Sequence, residues 1–173
     1  MNVAEDHSSH STVEIAAAEQ VLCFRLGPGE FGIDVLKIQE IKGWDTVTRV
    51  PYAPRYLLGV INLRGAIVPV IDLRLRFALS AAPFDSTTVV IVVRVRGARG
   101  ERIVGIVVDA VSEVLDLAAG ALRPAPGVPG EEGSGYLRGI ASQGDRLIMI
   151  VDVEALVASS IDREEDAGLR PAA

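Results

Sequence analysis

The chain has 173 residues and a net charge of −6, with 49% hydrophobic and 23% charged residues, enough for the core of one domain or of two fused small ones. Seventeen basic against 23 acidic residues weigh against nucleic-acid binding, which needs cations to neutralise phosphates. The apolar runs Val89–Val93 and Ile103–Val108 are far shorter than the roughly 20 residues of a membrane-spanning helix, and a lone cysteine, Cys23, makes no internal disulfide and suits a reducing cytoplasm.

Aromatics are only 5%, so the core is built from Val, Ile, Leu and Ala, which favours strands. Residues 1–19, polar and Ala-rich with no basic start or apolar signal core, read as a loose leader. The folded body spans 20–157. Val21–Leu26 and Phe31–Val35 flank Gly27-Pro28-Gly29-Glu30, a hairpin signal. Gly59–Leu63 and Ala66–Leu73 flank Arg64-Gly65, a second hairpin, with Pro69 expected at a sheet edge or a bulge because it cannot donate to a ladder. Thr88–Val95 and Arg102–Val108 make a third, and Arg146–Val151 follows a turn at Gln143-Gly144-Asp145. Short helical patterns are expected at Asp72–Ala78, Asp109–Leu115 and Val153–Val157. Residues 158–173 read as a solvated tail. Many short strands with frequent turns imply a mainly β protein of small barrels or sandwiches.

An internal repeat organises the body. Gly32-Ile33-Asp34-Val35 leads to Ile38, Glu40 and Ile41 just as Gly105-Ile106-Val107-Val108 leads to Val111, Glu113 and Val114. Tyr56-Leu57-Leu58-Gly59 closes on Asp72 with the spacing by which Tyr136-Leu137-Arg138-Gly139 closes on Asp152. Each copy is about 70 residues, marginal for a separate core, so the two are expected to pack together. Gly59 and Gly139 occupy equivalent places, where glycine implies either φ > 0 or a close backbone approach.

No catalytic constellation can be assembled. His7 and His10, the only histidines, lie in the leader, and no Cys/His cluster offers a zinc site. The stretch Gly133–Gly139 only faintly resembles a dinucleotide fingerprint and precedes a strand, not a helix. Asp72 and Asp152 end strands and fit helix caps better than paired catalytic carboxylates. The expectation is a protein without enzymatic activity, cofactor or metal. Arg64 sits at a hairpin tip, where protein recognition and a plain turn residue both fit.

Gly32–Ile41, Gly59-Val60-Ile61-Asn62-Leu63-Arg64-Gly65, Ile67–Arg74, Val89–Val92, Val104–Asp109, Arg123-Pro124-Ala125-Pro126 and Gly144-Asp145-Arg146 closely resemble the CheW family of chemotaxis coupling proteins, in order over roughly 20–157. The resemblance implies two small five-stranded β-barrels packed side by side. It also implies a cytoplasmic adaptor that tethers the histidine kinase CheA to the tips of methyl-accepting chemotaxis receptors and joins other CheW copies in rings, without membrane insertion. By resemblance Ile38, Glu40 and Arg64 contact the receptor and Arg123 the kinase. Gly127 and Val128 depart from the acidic and aromatic pair that the family often has after the Arg123 segment. The alternatives are a scaffold of a non-flagellar receptor–kinase pathway (pili or second-messenger signalling) and a small ligand-binding β-barrel.

Overall fold

A computed structural model describes residues 18–97, 100–125 and 135–162. In chain order the strands are β1 (Glu19–Leu26), β2 (Gly29–Asp34), β3 (Ile38–Gly43), β4 (Leu57–Leu63), β5 (Ala66–Asp72), β6 (Val89–Gly97), β7 (Gly100–Val108), β8 (Ala110–Leu117), β9 (Leu122–Arg123), β10 (Leu137–Gln143) and β11 (Arg146–Val151). Two short helices follow β5 and β11: α1 (Leu73–Arg76) and α2 (Val153–Val157). Each is capped by the aspartate that ends the strand before it. Asp72 accepts from the Arg74 and Leu75 N–H groups and Asp152 from that of Ala155, which satisfies amides that a helix start leaves unpaired.

The strands form a six-stranded sheet in the order β8-β1-β2-β11-β10-β9 and a five-stranded sheet in the order β3-β6-β7-β5-β4. The expected mainly β class with two packed units is found, but one unit has six strands where five were expected, and the sheets do not coincide with the sequence repeats. The β1–β2 hairpin of the first copy joins strands of the second, while β6–β7 of the second joins β3, β4 and β5 of the first. Four junctions make the exchange: the antiparallel β1–β8 and β3–β6, and a parallel pair, β2 with β11 and β5 with β7. Equivalent glycines permit the parallel pair. A Cβ on Gly32 would lie 2.9 Å from Ile150 Cδ1, and one on Gly105 would lie 2.9 Å from Val90 Cγ1 and 3.4 Å from Val70 Cγ2.

Three apolar clusters result. One includes Val21, Cys23, Leu115 and Ile148 of the six-stranded sheet, and another Val70, Val90, Val92 and Val107 of the five-stranded sheet. The largest draws on both sheets and holds Phe24, Ile33, Ile71, Ile91, Ile106 and Leu156.

Three further expectations need correction. Asp109–Leu115 is not helical: Ala110–Leu117 is strand β8, paired antiparallel with β1. Val111 and Val114 suit a pleated edge, and they are the repeat counterparts of Ile38 and Ile41 on β3. Pro69 lies on an interior strand rather than an edge, yet the β5–β7 ladder begins only at Val70, so its missing N–H faces no partner there. Residues 158–162 are not part of a solvated tail. Ala158–Asp162 form a further helical turn, with Ser160 buried and Ile161 packed on the shared core.

The two sheets are stitched by a charged joint. Arg74 on α1 donates from Nε (2.6 Å) and Nη2 to Asp109, which also accepts the Gly27 N–H at 2.7 Å. Burial alone would raise the Asp109 carboxyl, but the guanidinium and the Gly27 N–H outweigh it and hold it below the usual range. A depressed carboxyl adds stability that is present above the unfolded value, about 3.9, and is lost as pH falls through the lower folded value. Asp109→Asn is therefore expected to cost about 1–2 kcal/mol at pH 7, with the deficit shrinking below about pH 4. Thermal melts of both forms between pH 7 and pH 3 check this; a deficit that stays constant would refute it.

Candidate functional site

The β4–β5 hairpin turns on Arg64 and Gly65, both at positive φ (51° and 89°), with Leu63 paired to Ala66. This is the turn geometry that matches the twist of two antiparallel strands, and it favours Asn or Gly at its first central place. Asn62 Oδ1 steadies it by accepting the Gly65 N–H at 2.8 Å. Arginine gains nothing from the left-handed conformation and is strained there. Its side chain is 72% exposed. Arg64 is thus a charged residue held at a backbone cost, in the open.

Arg64 Nη2 donates to Glu40 Oε2 at 2.9 Å. Glu40 lies on β3, and β3 and β4 are opposite outer strands of the five-stranded sheet, so the sheet curls until its edges approach. The other Glu40 oxygen, Oε1, is buried without a hydrogen-bond partner among the described residues. Arg64 is thus the neighbour that compensates a partly desolvated carboxylate. Two sequence-predicted residues, Glu40 and Arg64, meet directly. Ile38 is half-buried and backs onto the core shared by the sheets. The exposed aliphatics nearby in sequence are Leu36 just before β3, Ile41 on β3 and Ile67 on β5.

Arg123 stands on the other sheet. It is exposed on β9, the outer strand beside β10, and pairs with Ile140. Gly127 and Val128 lie outside the described residues. The predicted receptor and kinase positions are therefore carried by different sheets.

The glycines show what their places require. A Cβ on Gly59 would lie 2.2 Å from the Thr48 carbonyl oxygen, and one on Gly139 would lie 2.3 Å from that of Arg123. In both copies a preceding segment runs against the glycine: Thr48 bridges Val60, and Arg123 pairs with Ile140.

Sequence reasoning missed the counterpart of the Glu40–Arg64 pair. On the six-stranded sheet Glu113, equivalent to Glu40, accepts from Arg146 Nη1 at 2.6 Å, while Arg146 Nε bonds Glu30 at 2.8 Å. The hydrogen bond from Arg146 lowers the Glu30 pKa, and Arg146 is raised by Glu30 first and Glu113 second. The repeat register Glu40/Glu113 was the available signal. The two sites differ in kind. Arg146 springs from a strand and is held by two carboxylates, whereas Arg64 springs from a strained turn, is held by one and projects outward.

A family model described as CheW-like domain matches residues 20–160. The chain is 48% identical over 153 residues to a chemotaxis protein CheW of Klebsiella aerogenes, covering 86% of this chain and 90% of that protein. It is 31% identical over 160 residues to that of Bacillus subtilis, covering 92% and 97%. Among solved structures, the scaffolding protein TtCheW from Thermoanaerobacter tengcongensis superposes with a TM-score of 0.73 at 30% identity, over 80% of this chain and 92% of that one.

Proposed function

The chain belongs to the CheW-like domain family of chemotaxis scaffolds, which are not enzymes, and from that premise we propose that it couples chemoreceptor tips to the histidine kinase CheA. In this reading it works in the cytoplasm, at receptor arrays beneath the membrane. Ile38, Glu40 and Arg64 face the receptor, Arg123 serves the kinase, and further copies of the chain join the kinase in rings. The observation that carries the reading is Arg64, an exposed arginine held at φ 51° on a rigid hairpin. Two partners also need two separate surfaces, and Arg64 and Arg123 lie on different sheets. Among the described residues no helix is long and apolar enough to cross a membrane, so proximity to the membrane would come from the receptors.

Reconstitution tests it. Receptors in nanodiscs or vesicles are mixed with purified CheA, with and without this protein, and kinase is measured in the receptor pellet along with its autophosphorylation rate. The protein should bring kinase to the pellet and accelerate it. Arg64→Glu should lose the receptor while keeping the kinase, and Arg123→Asp should do the reverse. Kinase recovered equally without the protein would refute the coupling role.

A further inference from the structure

The helices that follow β5 and β11 stand at equivalent places in the repeat, yet they cross the seam between the sheets by different means. Helix α2 buries Val153, Leu156 and Val157 in the shared core and packs on β6 of the other sheet. Helix α1 buries only Leu73 and sends two arginines across. Arg74 takes Asp109, as described above, and Arg76 takes the surroundings of Tyr136. One side of the seam is apolar packing; the other is a set of hydrogen bonds from cations.

Arg76 is the centre of its side. Tyr56 and Tyr136 are repeat counterparts that precede β4 and β10. Each carbonyl accepts from the aspartate that ends the next strand, the Asp72 N–H at 2.8 Å and the Asp152 N–H at 2.7 Å. Their rings flank one guanidinium: Arg76 Cζ lies 5.0 Å from the Tyr56 ring centroid and 4.3 Å from that of Tyr136. Arg76 Nη2 also donates to the Tyr136 hydroxyl and, at 3.0 Å, to Ser159 Oγ, while Nε donates to Ser160 Oγ at 2.7 Å. The Ser160 carbonyl accepts from the Tyr56 hydroxyl at 3.2 Å, which closes the ring of contacts.

This arrangement occurs once, not twice. By the spacing that relates Tyr56 to Tyr136, the counterpart of Arg76 is Leu156, which is fully buried. Both tyrosines therefore share a single cation. Apolar contact is non-directional and holds the sheets together at a range of angles. A planar guanidinium stacked on two rings, with its donors taken by three hydroxyls, specifies one angle.

We propose that Arg76 is a positioning residue that fixes the angle between the two sheets, and that this angle lets the receptor surface act on the kinase surface. The inference rests on the coupling role proposed above, in which Arg64 and Arg123 serve different partners from different sheets. None of the Arg76 partners belongs to either surface. A seam free to turn leaves both partners bound, because each meets one sheet, but it absorbs the change that one partner imposes before it reaches the other.

Ile67 on β5 and Leu147 on β11 are exposed counterparts, one on each sheet, and Cys23 is buried. Nitroxides on Ile67→Cys and Leu147→Cys therefore report the angle in the whole free protein. Double electron–electron resonance should give one narrow distance distribution with Arg76, and also with Arg76→Lys, which keeps a cation between the rings. With Arg76→Leu the distribution should be at least twice as wide. In receptor vesicles with CheA, Arg76→Leu should bring the kinase to the pellet within about twofold of the unaltered protein, yet stimulate its autophosphorylation about tenfold less. Arg76→Lys should restore most of that stimulation. An unchanged distribution, full stimulation, or a loss of stimulation matched by lost recruitment would each overturn the proposal. Where melting shows that Arg76→Leu does not fold, Ser160→Ala decides: it removes the Nε partner and should widen the distribution by a smaller amount, and an unchanged width would overturn the proposal. If the unaltered protein itself brought no kinase to the pellet, the coupling role would fail instead, and the distances would still decide whether Arg76 sets the angle.

Discussion

Gly59→Ala and Gly139→Ala are each expected to lower stability by about 3 kcal/mol, at the upper end of ordinary single-residue effects. The new methyl would meet a carbonyl oxygen at 2.2 or 2.3 Å, and that oxygen belongs to backbone, which cannot swing aside as a side-chain tip can. Gly59 bears a further cost at φ 152°, which alanine rarely adopts. For a chain of this length the loss corresponds to a melting midpoint lower by roughly 6–12 °C. Aspartate at either place adds an unpartnered charge and should do more. Gly43→Ala is the control: its Cβ would meet nothing within 4 Å, so the midpoint should hold. Calorimetry of the three variants decides the matter, and an unchanged midpoint at either Gly59 or Gly139 would mean that the segment running against it can retreat without loss.

The second large effect concerns recognition rather than stability. Arg64→Asn should weaken receptor binding about thirtyfold, the loss expected when an interface anchor worth about 2 kcal/mol is removed. Its effect on folding combines two opposed changes. Losing the exposed pair with Glu40 costs about 0.2–1 kcal/mol, while asparagine relieves an arginine held at φ 51°, worth about 1 kcal/mol. The midpoint should therefore stay put or rise slightly. Arg64→Ala loses the pair without relieving the turn and should melt below the asparagine variant. Arg64→Glu sets a second carboxylate against Glu40 and should weaken binding about a hundredfold. Paired melts and receptor-binding isotherms read both quantities. Full-strength binding by the asparagine variant would remove Arg64 from the interface.

Local signals in the sequence were dependable. Gly27-Pro28-Gly29 and Arg64-Gly65 turn where turn chemistry says they should, and Asp72 and Asp152 cap short helices. The repeat identified equivalent strands but was silent on pairing partners, because register and sheet membership come from contacts between residues far apart in the chain. Gly32 against Ile150 is such a contact. The same limit hid part of the candidate site. Glu40 and Arg64 are each visible, yet their meeting depends on the curl of a sheet in which one lies on the outer strand β3 and the other at the β4–β5 turn. Strand β8 is hidden for a different reason: Asp109-Ala110-Val111-Ser112-Glu113 has a helix-like start, and only its likeness to β3 across the repeat speaks for a strand.

The exchange of strands between sheets also has a consequence for synthesis. The five-stranded sheet is one uninterrupted stretch, from β3 to β7, and can close while the ribosome is still adding residues. The β1–β2 hairpin cannot. Its flanks are completed by β8 on one side and β11 on the other, and β11 begins about 110 residues after β2 ends. At about 5–20 residues per second the nascent hairpin waits roughly 6–20 s before its second edge, the one that β11 covers, is closed. During that interval it is the part of the newborn chain most in need of a chaperone, and the last sheet to form is the one that holds both the first and the last strands.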